Sequence, residues 1–323
     1  MEDTLIPSLV PSLSLIVPTR QRVGHLHALL SSLAVTAARP ASLEVVLVID
    51  ADDRASQAIS HHGLAVKQVI VRPGQTMGAL NCAGYAAASG QYLMLLNDDV
   101  RARTIGWDQR ILACFRRFPD GVLLVHPNDT VFQDALCTFP VVSRTFCKLA
   151  GGICPREYVR YRIDDHIEDV FNLLAVAGLC RTVYLPDVIF AHLNTGDPSK
   201  GHNGYQPKPE ILALDGPRFD VGFDERKKLA LRLLEHIERC ARKQRREVRQ
   251  RLEAIPATLD LRTPGRQLVQ RGNQRPRRLK PPSYLYSLRV AGSRIVKRLT
   301  TSALGNSVGG TSNLPVSRSR SSR

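Results

Sequence analysis

The stretch Tyr92–Val100, YLMLLNDDV, runs five apolar residues into an asparagine and two adjacent aspartates. A continuous apolar run of this length marks a strand covered on both faces. Two like charges at its end repel one another. They are tolerated in water, or wanted where a cation sits between them and a second anion. Asn and Asp also form turns through their own side-chain hydrogen bonds, so the triplet alone leaves both readings open.

Outward from this stretch, strand-like and helix-like segments alternate. LSLIVPT (Leu13–Thr19) is β-rich and closes on Pro18-Thr19. VGHLHALLSSLAVTA (Val23–Ala37) places Leu26, Leu29, Leu30 and Leu33 at helical spacing. LEVVLVID (Leu43–Asp50) is another continuous apolar run, and KQVIVR (Lys67–Arg72) reads as a short strand. TMGALNCAGYAAASG (Thr76–Gly90) is a small-residue helix stopped by Gly90; a helix over Trp107–Phe118 and a strand over Val122–Pro127 follow. This alternation predicts an α/β fold with a mixed, mostly parallel, Rossmann-like sheet flanked by helices. Ligands of such sheets bind beyond the C-terminal strand ends. Three polar strand ends are therefore expected along one rim: Pro18-Thr19-Arg20, Asp50-Ala51-Asp52-Asp53 and Asn97-Asp98-Asp99.

Charge divides the chain. Of 323 residues, 45 are Lys or Arg and 29 Asp or Glu, a net charge of +16. Residues 221–323 hold 25 basic and 7 acidic residues, so the excess lies there and the first two thirds are near neutral. This predicts a leader (1–10), a folded domain (11–222), a basic helix (223–256) and a basic, largely disordered tail (257–323). The helix carries an apolar stripe of Leu229, Leu233, Ile237, Cys240, Val248 and Leu252. In the tail, Tyr284–Leu299 pairs an apolar stripe with a cationic one, which suits an anionic membrane surface. Nucleic acid is the competing partner for an Arg-rich tail, ranked below the membrane. Seven cysteines without C-x-x-C suggest neither a disulfide framework nor a zinc site. With Met-Glu-Asp at the start and no long apolar run, the expectation is a cytoplasmic protein, peripheral at the inner face of the membrane.

The order of the segments resembles glycosyltransferase family 2, the inverting enzymes of GT-A fold. LSLIVPTRQRVGHLHALLSSL is similar to the family's opening strand and helix. EVVLVIDADD is similar to its second strand with an acidic end. TMGALNCAGYAAASGQYLMLLNDDV is similar to its small-residue helix, strand and acidic metal motif. HIEDVFNLLAVAGLCRTVYLPDVIFAH, up to His192, is similar to its Glu-Asp helix and the strand after it. The resemblance covers about residues 11–195.

It implies a nucleotide-diphosphate sugar donor, a carbohydrate or lipid-linked acceptor, and Mg²⁺ or Mn²⁺. Pro18, Thr19 and Arg20 would border the nucleotide, with Asn81 beside it. Asp50 would accept a hydrogen bond from the base, Asp98 would touch the ribose or the metal shell, and Asp99 would coordinate the cation with His192 as a further contact. Asp169, preceded by Glu168, would be the general base. A carboxylate in reach of a sugar hydroxyl helps deprotonate it during attack. Two departures stand out. Asn97 holds the first position of the metal motif, where the family has an acid. The helix from Glu168 to Gly178 is shorter than usual, so Asp164, Asp165 and Glu168 remain rivals to Asp169. Acceptor contacts are expected within Phe132–Arg162. Two alternatives remain open: a nucleotidyltransferase, disfavoured by the single Gly24 after the first strand, and a degenerate transferase domain acting as a scaffold through its tail.

Overall fold

The chain is seen in a computed structural model that describes residues 12–193, 208–241 and 253–255. Strands β1 (Leu13–Thr19), β2 (Leu43–Asp50), β3 (Ala65–Val71) and β4 (Tyr92–Leu95) run parallel in the order β3-β2-β1-β4. All eight residues of β2 are buried: the apolar run Val45–Ile49 on both faces of the sheet, and Glu44 through hydrogen bonds from Ser14 and Ser89. Beyond β4 the sheet continues through β7 (Val141–Ser143), β6 (Leu124–Asn128), β8 (Thr182–His192) and β5 (Val100–Ala102). β7 is antiparallel to both β4 and β6, β6 is parallel to β8, and β5 is antiparallel to β8. These pairings bring the C-terminal ends of β1, β2, β4, β6 and β8 to one rim, along with the start of β5. Val100 is paired with His192 there.

Helices cover both faces. α1 (Val23–Thr36) buries Leu26, Leu29, Leu30 and Leu33 together with Trp107 and Phe115 of α4 (Trp107–Arg116). α2 (Arg54–Gln57) is a single turn capped by Asp53, whose side chain accepts from the Ser56 amide. The second core gathers α3 (Met77–Ala87), α5 (Arg144–Ala150), α6 (Ile163–Val176) and α8 (Phe223–Cys240), with α7 (Pro209–Val221) beside them. α3 can lie this low on the sheet because Gly84 has no side chain. A Cβ there would stand 2.4 Å from Ile16 Cγ2 and 3.0 Å from Val48 Cγ2.

The mixed, mostly parallel α/β sheet is the one the alternation predicts. The basic helix packs into the second core. Leu229, Leu233 and Ile237 are buried as the stripe predicts, with Ala230 and Leu234, in the core that also holds α6. Cys240 is exposed, and Ala241 turns extended to end the helix. Apart from Arg226, the helix keeps its charged residues off this buried side, and the long apolar side closes the domain. Residues 1–10, 257–323, Val248, Leu252 and the 284–299 segment lie outside the described residues. Among the described residues no helix is long and apolar enough to cross a membrane.

Candidate active site

The turn from β1 into α1 lies over two acidic strand ends. Thr19 Oγ1 donates to Asp98 Oδ2 at 2.8 Å. Arg20 grips Asp52 through two 2.8 Å hydrogen bonds and also donates to Asp50. Arg22 Nη1 reaches Asp98 Oδ1 at 3.1 Å and Asp99 Oδ2 at 3.4 Å. Between the arginines Gln21 holds φ +54°, and its amide donates to Asp53 Oδ2 at 2.6 Å. Such a backbone is uncommon for a residue with a side chain and is found where the surrounding structure holds it in place, often at functional sites. Asp50 and Asp98 are buried, whereas the arginines keep about two fifths of their side chains in water. The pairs are therefore partly screened and exchangeable. Burial pushes the Asp98 carboxyl above its ordinary range, and Thr19 and Arg22 only partly oppose this. Pro18 is half-buried, Asn97 is exposed, and Asn81 is buried on α3.

A second acidic group stands at the ends of β6 and β8. Asp129 is buried; its Oδ1 accepts from the amides of Val131, Phe132 and Gln133, and its Oδ2 from Thr138 Oγ1 at 2.8 Å. His192 Nδ1 lies 3.8 Å from Asp129 Oδ2 and makes no hydrogen bond. Burial lowers the His192 pKa, with Asp99 and Asp129 in partial opposition, so the imidazole is neutral near pH 7. Glu168 Oε2 accepts from the Cys137 amide at 3.3 Å. Burial, then the charges of Glu168, Asp164 and Asp129, push the Cys137 thiol far up. Asp164 and Glu168 share a helix face one turn apart. Asp164 is pushed up to about 8, first by burial and then by the neighbouring Asp165 charge.

Asp169 takes a different partner. Its Oδ2 receives Arg226 Nε at 2.5 Å, and Arg226 is buried between α6 and α8 with Nη1 on the Phe219 carbonyl. The rim thus assembles Thr19, Arg20, Asp50, Asp98, Asp99 and His192, with Glu168 near them through Cys137. Asp169 is committed to the helix contact. Sequence reasoning missed Arg22 and Asp129. Asp129 had a signal, since HPNDT ends a strand in an acid. Arg22 had none, because its partners lie 76 and 77 residues away.

Among the described residues no three or more His, Cys, Asp or Glu side chains gather as a cation cage. The rim fits a looser arrangement: one or two carboxylates and a neutral imidazole, with phosphate oxygens completing the shell of Mg²⁺ or Mn²⁺. The buried, unbonded His192 Nδ1 is consistent with that chemistry.

No family model matches the chain, and no curated protein does. Solved structures similar to it include a mannosyltransferase from Pyrobaculum calidifontis in complex with GDP-Man and Mn²⁺, at 14% identity and TM-score 0.47, covering 75% of this chain and 79% of that one. TarS 1–349 of S. aureus in complex with UDP-GlcNAc is another, at 16% identity and TM-score 0.47, covering 75% and 78%. A longer TarS structure aligns at 14% identity and TM-score 0.47, over 70% of this chain and 43% of that one.

Proposed function

We propose that the chain is an inverting glycosyltransferase of GT-A type that moves a sugar from a nucleotide-diphosphate donor to a hydroxyl acceptor. The observation that carries this reading is the rim. Asp50, Asp98, Asp99 and His192 stand on the ends or starts of neighbouring strands, and one loop lays Arg20 and Arg22 across the first three. A nucleotide base meets Asp50 once Arg20 gives it up, and Thr19 borders the ribose beside Asp98. Arg22 is placed to follow the diphosphate, because it already bridges the two aspartates that flank it. Asp99 and His192 would hold Mg²⁺ or Mn²⁺, which supplies positive charge against the leaving diphosphate.

The general base is assigned to Asp164. A carboxyl lifted toward neutral pH is a stronger base once ionised than an ordinary aspartate. It shares a helix face with Glu168, toward Cys137 and Asp129, whereas Asp169 pairs with Arg226 and positions α6. The acceptor side is assigned to residues 132–162, which lead into α6. A lipid-linked or polysaccharide acceptor fits the basic tail, since an anionic membrane would hold both together.

The test is release of nucleoside diphosphate from a panel of UDP-, GDP- and dTDP-sugars with Mn²⁺. Slow hydrolysis with one donor class supports a transferase. Arg22 seated on Asp98 and Asp99 favours one second reading, a scaffold that binds nucleotides without turnover. Saturable nucleotide binding with no release from any donor would select it.

A further inference from the structure

A pair of thiols lies outside the rim, where the 151–159 segment crosses the start of α3. Cys82 Sγ stands 3.2 Å from the Cys154 carbonyl oxygen, and Cys154 Sγ stands 3.8 Å from the carbonyl of Gly78, one turn before Cys82. Each thiol therefore rests on the other's stretch of chain. The contact is tight on both sides. Met77 and Gly78 amides donate to the Val159 and Tyr158 carbonyls, and Thr76 Oγ1 donates to the Arg156 carbonyl. A Cβ on Gly78 would fall 2.3 Å from the Pro155 carbonyl oxygen, so only glycine lets the two chains meet this closely.

We propose that Cys82 and Cys154 form a reversible disulfide that fastens the 151–159 segment to α3 when the protein meets a peroxide. Both residues are partly exposed, so a small oxidant reaches them. A hydrogen bond from the Cys154 side chain, aided by the Arg156 charge, draws Cys82 down to about 7, whereas Cys154 is held well above the ordinary thiol range. Cys82 is thus the thiolate that attacks and Cys154 the thiol that resolves. Cys82 sulfur displaces hydroxide from the peroxide O–O bond and becomes a sulfenic acid. Cys154 sulfur then attacks that sulfur, the S–O bond breaks, and the departing hydroxide takes the Cys154 proton to leave as water. Two electrons pass from the two thiols to the peroxide. Cys147 is near enough to feel Cys82, but it is fully buried and its thiol is pushed up to about 12, so it is a poor rival.

The inference does not depend on the proposed transferase activity. Its test is peptide mapping of the full chain after graded hydrogen peroxide and blocking with N-ethylmaleimide. The expected result is a peptide cross-linked through Cys82 and Cys154 as the main early product. It should vanish in Cys82→Ser and in Cys154→Ser and be reversed by dithiothreitol. Thiol blocking of Cys82 as a function of pH should also show a midpoint near 7, which reports on the folded wild-type chain without any substitution. Recovery of Cys82 and Cys154 as maleimide adducts at doses that already oxidise the exposed Cys180 and Cys240 would overturn the proposal. So would Cys82 sulfinic acid with no cross-link.

Discussion

Replacing Asp164 by Asn should stabilise the fold while removing the proposed base. Asp164 has its pKa raised from 3.8 to about 8 by burial and by the Asp165 charge. The folded chain therefore keeps this proton between about pH 4 and pH 8, while the unfolded chain gives it up. Stability from this group is complete below about pH 4, erodes as pH rises, and is lost by about pH 8. A shift of about four units at ~1.36 kcal/mol each sets a ceiling near 5–6 kcal/mol. Asp164 keeps some contact with water, and screening brings the expected effect to about 2–4 kcal/mol. Asn removes the titration yet keeps Oδ1 to accept from the Asp165 amide, now 3.0 Å away. Urea unfolding at pH 5, 7 and 8.5 should show an advantage for the variant that grows with pH, alongside a loss of turnover of about 10²–10⁴-fold. A variant as stable as wild type at every pH, or less stable at pH 8.5, would refute the reasoning.

The remaining predictions concern the frame around that helix. His166 is lowered to about 3 by burial and the nearby Arg226 charge, so the folded chain refuses a proton that the unfolded chain accepts. Its contribution is complete above about pH 6.5 and lost as pH falls toward 3; in His166→Gln the acid limb of the stability curve should flatten by about 2 kcal/mol at pH 4. Asp215 is fully buried and accepts from the amides of Val159, Arg160 and Tyr161 at 2.8–2.9 Å. Asp215→Ala leaves three donors without that acceptor and should cost about 3–5 kcal/mol in urea unfolding. That variant should also lose more turnover than donor affinity, because residues 159–161 lead directly into α6.

Much of the sheet was legible because β2 is sealed on both faces and carries the apolar run Val45–Ile49. The leucine spacing of α1 was equally direct, and so was the gathering of β1, β2 and β4 ends on one rim. β5 and β7 escaped because three residues carry no period. The apolar stripe of α8 was legible too, since Leu229, Leu233 and Ile237 are buried as the spacing predicts; its place in the core beside α6 was not, because no local pattern names a helix's packing partner. The acid of α6 depends on helix phase. Glu168 turns to the Cys137 amide, with Asp164 one turn before it on the same face, and Asp169 turns to Arg226, a partner 57 residues away that no local pattern indicates. Arg20 and Arg22 show the same limit, since tertiary contact alone pairs them with Asp50, Asp98 and Asp99.

The account stands on the rim binding a nucleotide diphosphate through a divalent cation. Calorimetric titration of UDP and GDP into the full chain, with and without Mn²⁺, measures this directly in wild type and in Asp99→Asn. The account predicts binding of one nucleotide that strengthens at least tenfold with Mn²⁺ in wild type and gains nothing from Mn²⁺ in the variant. Nucleotide affinity indifferent to both the cation and the substitution would contradict it.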